Sequence, residues 1–139
     1  MSRLPFFVYG TLLRGEVNHD AFLRGRTLSQ TPATLTGALL YDGPGYPYAV
    51  ETPGGGGVVH GELVTATPTA YAQLLPALDR LEEYTPGDPT NLYERVARDV
   101  TRTTDGAHVR AWVYVAAPAT ATRLRANGNP IRTGNWRPT

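Results

Sequence analysis

Apolar positions along this chain come in short alternating runs, cut at close intervals by glycine and proline, with one longer stretch at helical spacing. Phe6-Phe7-Val8-Tyr9 is aromatic and β-branched and Gly10 stops it, which predicts an opening strand running straight into a loop over Gly10 to Gly15. A second strand, Ala33 to Tyr41, ends at the turn-forming cluster Asp42-Gly43-Pro44-Gly45. Tyr46 to Val50 reads as a short extended segment. Thr52-Pro53 and the four glycines Gly54 to Gly57 then connect it to a strand over Val58 to Val64, which suggests a hairpin. Thr67-Pro68 is a helix start, with Thr67 as N-cap and Pro68 where its missing N–H costs nothing. Tyr71, Leu74, Leu75, Leu78 and Leu81 follow on one helical face, and Pro86-Gly87-Asp88-Pro89 stops the helix near Tyr84. Leu92 to Thr101 alternates as a strand, with Leu92, Val96 and Val100 on one face and Tyr93, Arg95, Ala97 and Asp99 on the other. Arg110 to Val115 is another strand. The tail from Pro118 to Thr139 yields no element beyond a helix around Thr120 to Ala126. Five or six strands around one clear helix do not alternate as parallel α/β units do, so a mixed α+β fold with a small curled sheet is expected. With no internal repeat or boundary, residues 1–139 read as a single domain.

Composition narrows the chemistry. A chain of 139 residues builds one core, and therefore one site is sought. Thirteen basic and twelve acidic residues are spread evenly, so no polyanion-binding tail forms and nucleic acid is not an expected partner. All thirteen basic residues are Arg; without Lys there is no Schiff-base chemistry and no phosphate-loop lysine. Cys is absent too, which excludes disulfides, thiolate nucleophiles and thiolate metal sites and fits a reducing compartment. The longest apolar run, Ala111 to Ala117, is far below the roughly 20 residues that cross a bilayer. Tyr9-Gly10-Thr11 interrupts the apolar N-terminal stretch before a signal-peptide core forms, so a soluble, cytoplasmic protein is expected. Gly and Pro, at 15 and 12 residues, exceed their usual joint share of about 12%, which fits a turn-rich fold.

Two places carry candidate chemistry. At Tyr9-Gly10-Thr11-Leu12 a glycine directly after a strand lets consecutive backbone N–H groups converge on an anion such as a carboxylate, though the same residues also make an ordinary turn. Continuing the helical stripe Tyr71, Leu75, Leu78 by four residues lands on Glu82, which places this carboxylate on the apolar face while Glu83 turns to solvent. Desolvation and the nearby helix C-terminus would both raise its pKa and poise it as a general base. The alternative is a frayed helix end with Glu82 in water, or an ion pair with Arg95 or another Arg. Other polar groups are weaker. His60 and Glu62 share a strand face but lack a third ligand at a recognisable spacing, so no metal is expected. His19 lies beside Asp20, but Ser2 and Ser29 stand in no nucleophile-elbow sequence. Gly54 to Gly57 lacks the Lys and Ser/Thr of a phosphate loop. Tyr93 and Tyr114 sit on strands, where packing with a hydroxyl at the edge is the simple reading.

Taken in order, Phe7-Val8-Tyr9-Gly10-Thr11-Leu12-Leu13-Arg14-Gly15, Asn18-His19, Gly45-Tyr46-Pro47, Val59-His60-Gly61-Glu62-Leu63, Leu78-Asp79-Arg80-Leu81-Glu82, Leu92-Tyr93-Glu94-Arg95 and Trp112-Val113-Tyr114 span nearly the whole chain. This set resembles the gamma-glutamylcyclotransferase-like (AIG2-like) family, in particular its gamma-glutamylamine cyclotransferase branch. The resemblance implies a small mixed β-barrel with flanking short helices and a cavity reached by both the first loop and a catalytic Glu. It places the substrate loop on Tyr9, Gly10, Thr11 and Leu12 and the catalytic acid/base on Glu82. Thr11 stands where many relatives have Ser, and Glu83 where many have Gly; the helical face selects Glu82. The implied reaction closes a gamma-glutamyl amide to 5-oxoproline by attack of its own alpha-amine, with no cofactor and no protein nucleophile, and with Tyr93 or Tyr114 closing the cavity. Two other readings stay open: a non-catalytic metabolite-binding protein, and an enzyme removing a gamma-glutamyl protecting group in a biosynthetic pathway. Trp136 either covers the cavity or packs against the barrel. Oligomeric state is left open.

Overall fold

The alternating runs do form strands, and five of them close on one another. The computed structural model describes residues 3–136. Its elements run β1 (Phe6–Val8), α1 (His19–Phe22), β2 (Thr27–Thr36), β3 (Ala38–Tyr41), β4 (Tyr48–Glu51), β5 (Val58–Ala66), α2 (Pro68–Leu81), β6 (Tyr93–Arg102), β7 (His108–Ala116) and α3 (Pro118–Asn127). The order β1-β5-β2-β6-β7 makes a closed barrel, and β3 and β4 form a separate two-stranded sheet. Neighbours in the barrel are antiparallel except β1 and β7, which run parallel and meet at Phe6 and Trp112. This is the α+β small mixed barrel with flanking short helices that was expected.

Because strand side chains alternate, the short β1 serves two apolar clusters. Phe7 joins Val59, Leu63, Val100 and Val113 in one, while Phe6 and Val8 join Val64 and the α2 residues Tyr71, Leu74 and Leu78 in the other. The same alternation in β6 sends Val96 and Val100 to the former and Tyr93 to the latter. Leu92, expected beside Val96, instead lies exposed before the strand begins.

Helix α2 starts as its sequence says, with Thr67 Oγ1 accepting the Ala70 amide at 3.2 Å and Pro68 in the first turn. Its far end sets the position of Glu82. The Glu83 amide bonds back to the Arg80 carbonyl at 3.1 Å and the Tyr84 amide to the Asp79 carbonyl at 2.8 Å, the paired bonds of a Schellman stop. Glu83 occupies the left-handed position of that stop, at φ 53°, where glycine is usual. Glu82 is therefore the C-cap, held to the helix by its own amide bond to the Leu78 carbonyl.

Several local expectations differ. Ala33 to Tyr41 is two strands, because Gly37, at φ 77°, turns the chain and lets β2 remain in the barrel while β3 leaves it. The hairpin read across Tyr46 to Val64 does not form: β4 pairs back with β3, and β5 pairs with β1 and β2. The glycine-rich stretch instead carries the chain from ribbon to barrel. Helix α1, only four residues long, is too short to show a periodic stripe. The tail helix is α3, wider than expected, and beyond it Ile131 and Trp136 pack against the cluster around Phe7. Of the two expectations for Trp136, it thus packs against the barrel and does not line the cavity.

Candidate active site

Beyond β1 the backbone enters a tight loop whose carbonyls are largely satisfied. The Leu13 amide donates to the Gly10 carbonyl at 3.0 Å, the Asn18 amide to the Thr11 carbonyl at 3.0 Å, and Asn18 Nδ2 to Thr11 Oγ1 at 2.9 Å. The amides of Gly10, Thr11 and Leu12, by contrast, find no acceptor among the described residues. Three successive free N–H groups suit an anion. Gly10 is needed for proximity rather than for a left-handed backbone: a Cβ there would meet Pro47 Cδ at 2.8 Å.

The loop's exit is tied down by groups that sequence alone left unassigned. Glu62 Oε1 accepts both the Arg14 amide at 3.0 Å and Gln30 Nε2 at 2.7 Å. Gln30 Oε1 meets His19 Nε2 at 3.0 Å, and the Gln30 carbonyl takes Arg14 Nη2 at 2.9 Å. Glu62 therefore anchors the loop, and among the described residues no cluster able to hold a metal occurs. Gln30 is buried, yet a lone Gln on a polar strand gives no local signal of this role.

Glu82 is the second feature. It is half-buried while Glu83 is exposed, as the helical face required. Burial pushes the Glu82 carboxyl up to about 7. Among the described residues no hydrogen bond or ion pair reaches it, and Arg95, the arginine weighed as its ion-pair partner, is held by Asp79 at 2.8 Å. A carboxylate that takes up and gives back a proton near neutrality is the result.

Both features open on one cavity of about 180 Å³, lined by Tyr9, Gly10, Thr11, Leu12 and Glu82. Tyr93 and Tyr114 also border it, with Asn18, Tyr46, Pro47 and Glu83. All the site residues expected from the sequence are thus brought together. Their phenols, however, are committed to the protein. The Tyr9 hydroxyl donates to the Tyr114 carbonyl and accepts the Ala49 amide at 3.2 Å. The Tyr93 hydroxyl donates to the Pro47 carbonyl at 2.6 Å, and the Tyr114 hydroxyl to Asp79 Oδ1 at 2.6 Å. Burial pushes all three phenols up, so they remain protonated and shape the wall rather than act as bases. Tyr48 stacks on Tyr93 with ring centroids 4.7 Å apart and supports that wall without lining the cavity. Among the described residues, no helix is long and apolar enough to cross a membrane.

The chain resembles known proteins in sequence and in fold. The family described as gamma-glutamyl cyclotransferase, AIG2-like, matches residues 6–138. Over 111 residues the chain is 36% identical to gamma-L-glutamyl-butirosin B gamma-glutamyl cyclotransferase of Niallia circulans, a match covering 78% of this chain and 64% of that relative's length. It is 36% identical over 96 residues to a protein of Halalkalibacterium halodurans provisionally named a gamma-glutamylcyclotransferase, covering 69% of this chain and 78% of the other. The crystal structure of an AIG2-like protein from Mus musculus matches with a TM-score of 0.62 at 28% identity, over 84% of this chain and 80% of that one.

Proposed function

The chain belongs to the gamma-glutamyl cyclotransferase, AIG2-like family, and from that premise we propose that it releases 5-oxoproline and a free amine from a gamma-glutamyl amide. The observation that carries the reading is the half-buried Glu82, which among the described residues meets no cation, sharing one cavity with three loop amides that find no acceptor there. The substrate's alpha-carboxylate would lie on the amides of Gly10, Thr11 and Leu12. Glu82 takes a proton from the alpha-ammonium, and the amine so freed attacks the delta-carbonyl of the same glutamyl unit. The new C–N bond closes a five-membered ring. As the old amide C–N bond breaks, Glu82 returns its proton to the departing nitrogen, and the second proton still carried by the ring nitrogen passes to the released amine, which leaves as an ammonium, so that one carboxyl serves both steps. No covalent intermediate with the protein is needed, which suits a chain without Cys or Lys.

Folding the flexible glutamyl chain into attack geometry is the protein's larger contribution, since well-oriented intramolecular reactions reach effective molarities of about 10⁵ M or more. The aromatic wall of Tyr93 and Tyr114 limits the room in which that chain can extend. The proposal takes residues 1–139 as one working domain in the cytoplasm, with a small-molecule substrate and no nucleic-acid partner. A second reading, removal of a gamma-glutamyl protecting group from a larger biosynthetic intermediate, draws on the butirosin relative and uses the same chemistry. A panel of gamma-glutamyl amino acids, gamma-glutamyl-lysine, gamma-glutamyl amines and gamma-glutamyl-butirosin B, scored for 5-oxoproline, tests both. Release from a member of the panel supports the cyclotransferase. Binding without release would favour a metabolite sensor and reject the enzyme.

A further inference from the structure

Among the described residues no cation pairs with Glu82, although Arg95 is held by Asp79, an acid three residues before it. Arg95 on β6 lays its guanidinium over the Trp112 ring, 4.3 Å from the centroid, and 5.5 Å from the centroid of Tyr84, two residues beyond Glu82. What holds it there is Asp79: Arg95 Nε donates to Oδ1 at 2.8 Å and Nη2 to Oδ2 at 3.3 Å. The same Oδ1 accepts the Tyr114 hydroxyl at 2.6 Å, so the clamp is braced from β7 by a residue that borders the cavity. Asp79 and Arg95 expose only 18% and 15% of their side chains. In such a place a guanidinium deprived of its partner is costly and turns to the next carboxylate within reach. Asp79 lies three residues before Glu82 on α2, so the two side chains leave neighbouring turns on the same side of the helix.

We infer that Asp79 is a positioning residue of this site: by fixing Arg95 against Trp112 and Tyr114 it keeps the guanidinium off the Glu82 carboxylate and leaves that carboxylate free to exchange a proton with substrate. The inference deepens the reading of Glu82 given above and rests on it. The other groups that face Glu82 are phenols, Tyr9 from β1, Tyr48 from β4, Tyr93 from β6 and Tyr114 from β7, together with Glu83 beside it; Arg123 on α3 acts on Tyr48. Burial keeps those phenols uncharged at neutral pH. Arg95, held by Asp79 and paired across β6 and β7 with Tyr114, is then the cation set next to the cavity wall.

The test follows the Glu82 carboxyl by ¹³C NMR against pH, with its signal assigned from its loss in Glu82→Gln. Asp79→Asn, Arg95→Gln and the double variant are compared with the unaltered chain. Asp79→Asn should move the Glu82 midpoint down by about 1 pH unit or more, as a newly available guanidinium does to a carboxyl. Arg95→Gln should move it up by a similar amount, because an uncompensated Asp79 then repels the charged form. The double variant, with neither charge, should return close to the starting midpoint. A merely structural clamp would not give opposite signs. Equal or absent shifts in the two single variants overturn the inference; if Asp79→Asn does not fold, an unmoved midpoint in Arg95→Gln does so alone. Should the midpoints move as expected while no member of the substrate panel yields 5-oxoproline, Asp79 keeps its role towards Glu82 and the proposed reaction fails separately.

Discussion

Replacing Glu82 by Gln should make the protein more stable, and increasingly so as the pH rises. The folded carboxyl titrates at about 7, against an ordinary value of 4.5, because burial disfavours its charged form. Between those two values the folded chain keeps a proton that the unfolded chain has already released. Stability therefore falls with rising pH across that window, by about 1.4 kcal/mol per pH unit for one such group. Over the whole window the difference approaches about 3 kcal/mol, and partial access of water to a half-buried carboxylate brings the expectation to about 2 kcal/mol. Gln occupies the same space without this penalty. Urea unfolding of the two proteins, from about pH 4.5 to about pH 8, reads the difference directly. It should be small at the acid end, widen steadily, and level off above about pH 7. A gap that stays constant with pH would show that the Glu82 carboxyl is not raised, and the case for a poised base would fall with it.

Other consequences are equally measurable. If Glu82 acts as base in the free enzyme, kcat/KM should fall on the acid side with a midpoint near about 7; a flat profile between pH 5 and pH 8, on the order of three units, speaks against it. Gly10→Ala places a Cβ 2.8 Å from Pro47 Cδ, so the loop must shift, and KM for the glutamyl substrate should rise roughly tenfold, equivalent to about 1.4 kcal/mol; an unchanged KM would dissociate the loop from binding. Glu83→Gly relieves the left-handed backbone at φ 53°, worth about 1 kcal/mol, so the thermal midpoint should rise while most 5-oxoproline release is retained. Loss of release there would move the acid/base one residue along.

How much of this lay open in the sequence depends on how local each cause is. Glu82 is legible because helical spacing carries the stripe of Tyr71, Leu75 and Leu78 forward to it, and the Schellman stop at Glu83 and Tyr84 preserves that face. The loop at Gly10 is legible as a strand end, but the reason for its glycine is not: Pro47, which crowds it, is brought there by the fold. Strand pairing escapes for the same reason. Nothing in Tyr48 to Glu51 says whether it folds back on β3 or forward on β5; the turn at Gly37 decides that by sending β3 out of the barrel. The Asp79 clamp and the Gln30–Glu62 anchor are the least legible parts. Asp79 meets Arg95 sixteen residues away and Tyr114 thirty-five away, and Gln30 meets Glu62 thirty-two away, distances at which no periodic pattern speaks.

The most direct measurement is 5-oxoproline release by Glu82→Gln from a gamma-glutamyl amide that the unaltered protein turns over, with an amide ¹H–¹⁵N spectrum confirming the same fold. A positioned acid/base contributes roughly 10²–10⁴-fold, so release should drop by at least about a hundredfold while the spectrum stays native. Release at the original rate from a correctly folded Glu82→Gln protein would contradict a proton-carrying role for this carboxyl.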